Sequence, residues 1–316
     1  MSSQNPETLE RVSRSLWSTT AEILIAGGRE GAEAVIDDEL ERCAAAASRF
    51  DPFSELSTLN TDGQTTTMSD DFVDYLRAAI LGVHLSGGLV DPAVGGALIA
   101  LGYDRDFSQI DAGSGSEQPP VHTWANDVVI DLDRRTIALH NGARLDLGAT
   151  SKAHCADRIA QRLVREDLAT GACVSLGGDV ATAGVAPAPG WSIAIVESAR
   201  ERTLLSTNDT ISDAEDLMVI EGGGVATSSS IGRVWRRNGA TIHHLVDPRT
   251  GRSAATPWAL VSVHAANCLE ANIAATAAHL EGTDAPELLA ARGLGARLRD
   301  HSGTTIAVGT WPRRAA

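Results

Sequence analysis

Lysine is almost missing from this 316-residue chain: Lys152 is the only one, and the other 25 cationic side chains are arginines. An ammonium is thus kept at one position. Either a compact, flexible cation is wanted there, since ammonium and guanidinium differ in geometry and hydration, or Lys152 is simply the last lysine left. Aromatic residues are also scarce, at 4%, so the core must be built from Ala, Leu, Val and Ile. The four cysteines, Cys43, Cys155, Cys173 and Cys268, form no CxxC pair and no short disulfide framework, which predicts reduced thiols in the cytoplasm. No apolar run reaches the roughly 18 residues of a membrane span, and Met1-Ser2-Ser3-Gln4-Asn5 lacks the basic and apolar regions of a signal peptide. A cytoplasmic protein with no membrane span is expected. Positive charge is in deficit: 26 Lys and Arg against 41 Asp and Glu give −15 and a pI near 5.0. That balance argues against nucleic acid and anionic lipid as partners. It leaves room for a phosphate-bearing ligand, which an acidic protein can hold through a divalent metal. Also absent are GxxxxGK[ST], HExxH, GxSxG and a GxGxxG after a strand. The histidines are scattered except for His243-His244, and strand neighbours face opposite ways, so no zinc site is expected.

What is present is a globular composition, 43% apolar and 21% charged, enough for a core and too apolar for wholesale disorder. The length suits one large domain or two intimate subdomains, expected over 16–309 with a tail at 1–15. Alternation predicts a first strand at 20–26. Helical spacing predicts helices at 31–49, from Ser69 as N-cap through Phe72, Leu76, Ile80 and Val83, and at 152–167. A hairpin is expected at 128–140 and strands at 172–177, 180–184, 191–197, 217–221, 233–236, 240–246 and 259–265. Helices follow at 268–281 and 285–292, with a terminal hairpin at 296–309. Residues 112–120 and 207–216 read as exposed loops. Strands in runs with helices interposed indicate an α+β fold with largely antiparallel sheets.

Four segments are more specified than their surroundings: Gly87–Gly96, Leu145–Ala153, Val225–Ser229 with His243–Gly251, and Glu270–Ala277. Each has an ordinary explanation in turn chemistry or helix capping. Thr276 lies one helical turn beyond Asn272, which puts both side-chain oxygens on one side. Their Ala-rich setting implies a close-packed helix in which two polar groups need partners.

Taken in order, these segments resemble the FAD:protein FMN transferases of the ApbE family. Phe50-Asp51-Pro52 through Asn60 is similar to the family's R-F-D-P-x-S-E-L-S-x-L-N element, and Gly87–Gly95 to G-A-F-D-P-T-V-G. Leu145–Asp157 is similar to L-D-L-G-x-x-A-K-G…D, and Leu176–Asp179 to the G-G-D turn. Val225–Ser228 is similar to A-T-S-G, His244–Gly251 to H-I-x-D-P-x-T-G, and Glu270–Ala277 to A-D-A-x-A-T-A. The resemblance implies Mg²⁺-dependent transfer of FMN from FAD to a Ser or Thr hydroxyl of a target flavoprotein, with release of AMP. It assigns the metal to the Ala149 carbonyl, Asn272 and Thr276. It assigns flavin nucleotide contacts to Trp17, Leu89, Val90, Asp91, Asp146, Lys152 and Val246, with Thr227 and Ser228 of the T-S-G element. His244 becomes the candidate for the acceptor hydroxyl's proton, as an imidazole titrating near neutrality suits that task. Asp247 either orients His244 or caps the Asp-Pro turn.

The sequence departs from the pattern at several points. Position 272 is Asn where the family has Asp, so a compensating carboxylate is sought, with Glu270 and Asp146 as candidates. M-G-T, T-S-G and K-G are here Trp17-Ser18-Thr19, Thr227-Ser228-Ser229 and Lys152-Ala153. Two alternatives therefore stand beside the transferase: a Mg²⁺-dependent FAD pyrophosphatase, and a protein that binds FAD without turning it over. A basic cluster at Arg233, Arg236, Arg237, Arg249 and Arg252 is read as solvated by default.

Overall fold

The computed structural model describes residues 9–17, 19–65, 67–110, 113, 118–196, 204–205 and 216–312. Its frame is an eight-stranded sheet whose strands lie side by side in chain order. These are β1 (Leu9–Leu16), β2 (Thr19–Ala26), β3 (Gly171–Leu176), β4 (Asp179–Gly184), β5 (Gly224–Ser229), β6 (Trp258–Ala265), β7 (Gly295–Asp300) and β8 (Thr305–Val308). Every neighbouring pair is antiparallel. The helices sit in two insertions. Between β2 and β3 come α1 (Ala32–Ala47), α2 (Glu55–Asp62), α3 (Asp70–Ser86) and α4 (Ser151–Arg165). Between β6 and β7 come α5 (Cys268–Glu281) and α6 (Ala285–Ala291). The α+β class with antiparallel sheets is what the grouping of strands indicated.

The elements follow from their residues. Ser69 caps α3 as its spacing predicts, its hydroxyl accepting from the Phe72 N–H at 3.1 Å. Ile36 and Leu40 of α1, Phe72 and Leu76 of α3, and Ile159 and Leu163 of α4 pack on Ile23, Ile25, Val174 and Leu176 of the sheet. On the other face Leu24, Cys173 and Val180 meet Trp191, Ile193, Ile195, Met218 and Ile220 from a smaller antiparallel sheet. Twelve of the 14 residues of α5 are buried, because alanines let β5, β6, α3 and α4 approach it from all sides.

Three expectations need correction. Residues 9–15, assigned to the tail, form most of β1 and pair with β2 over its whole length. The sequence does not announce this strand, because polar residues stand on both of its faces: Glu10, Ser13 and Ser15 are exposed, Arg11 and Arg14 are half-buried, and Val12 alone is buried. The strand expected at 240–246 stops at His243, and His244 lies in the bend before a short pairing of Val246–Asp247 with Arg252–Ser253. Helix α2 was not foreseen: its eight polar-rich residues bury only Leu56 and Leu59. Of the expected loops at 112–120 and 207–216, residues 112, 114–117 and 207–215 lie outside the described residues, as does the end of the strand expected at 191–197.

Candidate functional site

The fold's long insertions bring distant segments to one cavity of about 440 Å³. The β3–β4 hairpin delivers one wall. Its two-residue turn, Gly177-Gly178, has φ +66° and +95°, a conformation that favours glycine, and a Cβ at Gly177 would press on Thr19 Oγ1 at 2.9 Å. Asp179, the first residue of β4, is 5% exposed and faces the cavity. Its Oδ1 accepts from Asn272 Nδ2 of α5 at 2.9 Å. Thr276, one turn on, donates to Asn272 Oδ1 at 3.4 Å and shares a 2.9 Å hydrogen bond with Ser228 Oγ of β5. The two polar groups of the buried helix thus find partners, as their setting requires. Burial pushes the Asp179 carboxyl up, while Lys152, Asn272 and Arg233 pull it back.

Residues 146–152 also line the cavity and lead into the N-terminus of α4. Asp146 Oδ2 accepts from Arg49 Nε at 2.6 Å and its Oδ1 from the Gly148 N–H at 2.8 Å. The Arg49 guanidinium also donates to the Tyr103 carbonyl at 2.8 Å and lies 4.5 Å from the Phe50 ring centroid and 5.1 Å from that of Tyr103. Burial raises the Asp146 carboxyl, but Arg49 and the Gly148 N–H outweigh it and hold the group below its ordinary value. Lys152 Nζ donates to the Gly148 carbonyl at 3.1 Å. Burial, with Arg233 nearby, lowers its ammonium pKa against the pull of Asp179 and Asp146. The helix N-terminus and this ammonium together present positive potential to the cavity.

His244 lines the cavity too, with Nδ1 buried and unpartnered among the described residues. Burial, reinforced by Arg233, pushes it well below its ordinary value. Its surroundings therefore favour the neutral imidazole over the near-neutral titration that the residue type suggests. His243 turns elsewhere, its Nε2 paired with the Ala254 carbonyl at 3.1 Å.

Trp17, Leu89, Val90, Asp91, Asp146, Ala149, Lys152, Thr227, Ser228, His244, Val246, Asn272 and Thr276 all line the one cavity. Asp247 does not. Its carboxylate takes the Arg249 N–H and guanidinium at 2.9 Å, so it caps its own turn and does not orient His244. Asp91 lines the cavity, but its carboxylate is spent on the Ala93 and Trp124 N–H groups. Glu270 is tied to the helix cap through Asn267 Nδ2 at 2.9 Å, so neither proposed substitute carboxylate is free. Asp179 is the one beside Asn272, and sequence reasoning missed it although the G-G-D turn was noted. Arg233, read as solvated, also lines the cavity, as do Arg49, Tyr103 and Phe107. No linear motif marks these aromatics, which converge only through folding.

The oxygen donors at Asn272, Thr276 and Ala149, with one carboxylate adjacent, fit a hard divalent cation that keeps waters and ligand oxygens. Among the described residues no group of three or more His, Cys, Asp or Glu converges into an all-protein cage.

The ApbE family model matches residues 16–298. A FAD:protein FMN transferase of Treponema pallidum is 28% identical over 257 residues, 75% of this chain and 67% of that protein. One of Klebsiella pneumoniae is 29% identical over 155 residues; the match spans 48% of this chain and less than half, 43%, of the relative. Among solved structures, the ApbE protein of Thermotoga maritima superposes with TM-score 0.79 at 21% identity over 97% of this chain and all of that one. The flavin transferase ApbE of Vibrio cholerae gives 0.74 at 20% identity over 97% and 99%.

Proposed function

The chain belongs to the ApbE family, and we propose on that premise that it transfers the FMN half of FAD to a Ser or Thr hydroxyl of an acceptor flavoprotein, releasing AMP. The observation that carries this reading is the convergence of segments 49–50, 89–91, 146–152, 177–179, 227–233, 244–246 and 272–276 on one cavity. The cavity offers a helix N-terminus and a lone ammonium for a diphosphate, oxygen donors for a cation, and an imidazole at its wall.

In the reaction the acceptor oxygen attacks the phosphorus on the FMN side, the bond to the AMP phosphate oxygen breaks, and AMP leaves. His244 takes the proton of the attacking hydroxyl, and its depressed pKa keeps it unprotonated and ready. Lys152 and the first N–H groups of α4 hold diphosphate oxygens and orient the bond to be broken. Backbone at Leu89, Val90 and Asp91, with Trp17 and Val246, borders the flavin nucleotide. Asn272, Thr276 and the Ala149 carbonyl would hold Mg²⁺, which neutralises charge on the diphosphate when bound. The four cysteines are free and buried, which supports placing the reaction in the reducing cytoplasm; no helix among the described residues is long and apolar enough to cross a membrane.

Intact-mass spectrometry of a flavin-accepting domain tests the proposal. Incubation with this protein, FAD and Mg²⁺ adds one FMN to the acceptor, and EDTA prevents it. Free FMN and AMP with an unmodified acceptor would establish the pyrophosphatase instead.

A further inference from the structure

We infer that Asp179 supplies the negative charge of the cation site that Asn272 lacks, so that in this chain the carboxylate is carried by the β3–β4 turn and not by α5. The inference rests on the reading of the cavity given above.

Four observations carry it. Asp179, Asn272 and Thr276 are 5%, 8% and 7% exposed, so the three sit together at a nearly dry wall of the cavity. The Asn272 amide donates its N–H to Asp179 Oδ1 at 2.9 Å and accepts from Thr276 at its own Oδ1. This pairing fixes which way the amide points, with its oxygen on the Thr276 side. The other aspartates nearby, buried Asp91 and Asp157 and half-buried Asp146, are spent on the protein itself: Asp91 on two backbone N–H groups, Asp157 on the Cys268 and Leu269 N–H groups at the start of α5, and Asp146 on Arg49 and Gly148. Asp179 accepts only the Asn272 side chain, and its second oxygen has no partner among the described residues. A buried carboxylate whose one hydrogen bond is to a neutral amide, with Lys152 and Arg233 acting on it only from beyond ion-pair distance, is costly to keep. A cation at this wall resolves that cost. Finally, the two other carboxylates that sequence position suggests are engaged, Glu270 by the cap residue Asn267 and Asp146 by Arg49.

The arrangement also explains why position 272 tolerates an amide. Two facing carboxylates at 2.9 Å would repel whenever the cation is absent, whereas Asp179 facing Asn272 is a hydrogen-bonded pair in either state. The site keeps one negative charge and gains a resting state that is stable without metal.

The test is a Mn²⁺ titration of the full-length protein, free Mn²⁺ being read by electron paramagnetic resonance, with FAD affinity followed in parallel by flavin fluorescence without metal. Asp179→Asn should weaken Mn²⁺ binding at least about tenfold, within the range for losing a supporting carboxylate. The exchange variant Asp179→Asn with Asn272→Asp, which returns the carboxylate to α5, should recover affinity to within about threefold of the parent. Both substitutions are isosteric, and circular dichroism checks that the fold is retained. Equal Mn²⁺ affinity in parent and Asp179→Asn overturns the inference while leaving a cation site in place. No Mn²⁺ binding to the parent overturns it together with the cation site; FAD binding then tells whether the nucleotide reading survives. A failure of the exchange variant to recover means that Asp179 acts where it stands through something other than charge, and also overturns the inference.

Discussion

The Arg49–Asp146 pair is the joint on which the cavity wall hangs, and breaking it has a calculable cost. The side chains are 6% and 15% exposed and 2.6 Å apart. Removing one partner of a buried pair leaves an uncompensated charge, worth about 3–5 kcal/mol. The lower end applies here because Asp146 keeps the Gly148 N–H and some access to the cavity. For Arg49→Met, with an unfolding entropy of about 0.7 kcal/mol/K for 316 residues, about 3 kcal/mol is a fall in Tm of about 4–5 °C. The pH dependence discriminates further. In the parent Asp146 is held below its ordinary value, chiefly by Arg49 opposing burial, so its stabilisation is present above the usual carboxylate range and lost as pH falls through the folded pKa. Without Arg49, burial dominates and the folded pKa rises. The deficit of Arg49→Met is then largest near neutral pH and shrinks on acidification. The double variant Arg49→Met with Asp146→Asn, which removes both charges, should recover at least about 1 kcal/mol relative to the sum of the single losses. Calorimetry from pH 4 to 8 checks all three statements. A single-variant loss under about 1 kcal/mol, or a deficit that grows on acidification, would refute the account of this wall.

Other outcomes follow from the same geometry. His244→Ala should keep FAD binding and lose most turnover, and kcat/KM of the parent should show no inflection near pH 6.5, since the free enzyme's His244 is already neutral there; such an inflection would contradict its burial. His244 and His279, the latter pushed down to about 4 by burial, take up protons only on unfolding. Urea unfolding should accordingly show stability declining as pH drops below about 6.5, the unfolded histidine value. Asn267→Ala removes the side-chain acceptor for the Glu270 N–H at the start of α5 and should cost about 1 kcal/mol. An unchanged midpoint would mean that the packing of α5 alone fixes its start.

Much of the fold could be read from the chain because local signals agreed with the tertiary structure. Ser69 and the Phe72, Leu76 spacing marked α3, and the alanines of α5 announced a helix buried on every side. Strand β1 escaped because Arg11 and Arg14 pack against acidic partners, Glu22 and Glu33 with Asp37, contacts that sequence cannot display. The candidate site was legible where residues lie in punctuated segments, such as 87–96 and 145–153. It was obscure where function depends on what the far end of a side chain meets. Asp247 and Asp91 sit in turns that use their carboxylates, and Asp179 sits in a turn that does not. Only the folded chain separates these cases. His244 shows the same limit: its identity suggested titration near neutrality, and its burial decided otherwise.

The most direct test of the central claim is to measure AMP released against flavin covalently bound to an acceptor domain, with FAD and Mg²⁺, over the time course of one incubation. Transfer predicts that the two rise together, mole for mole, and that neither appears without the acceptor. AMP accumulating in the acceptor's absence, with flavin left free as FMN, would contradict it.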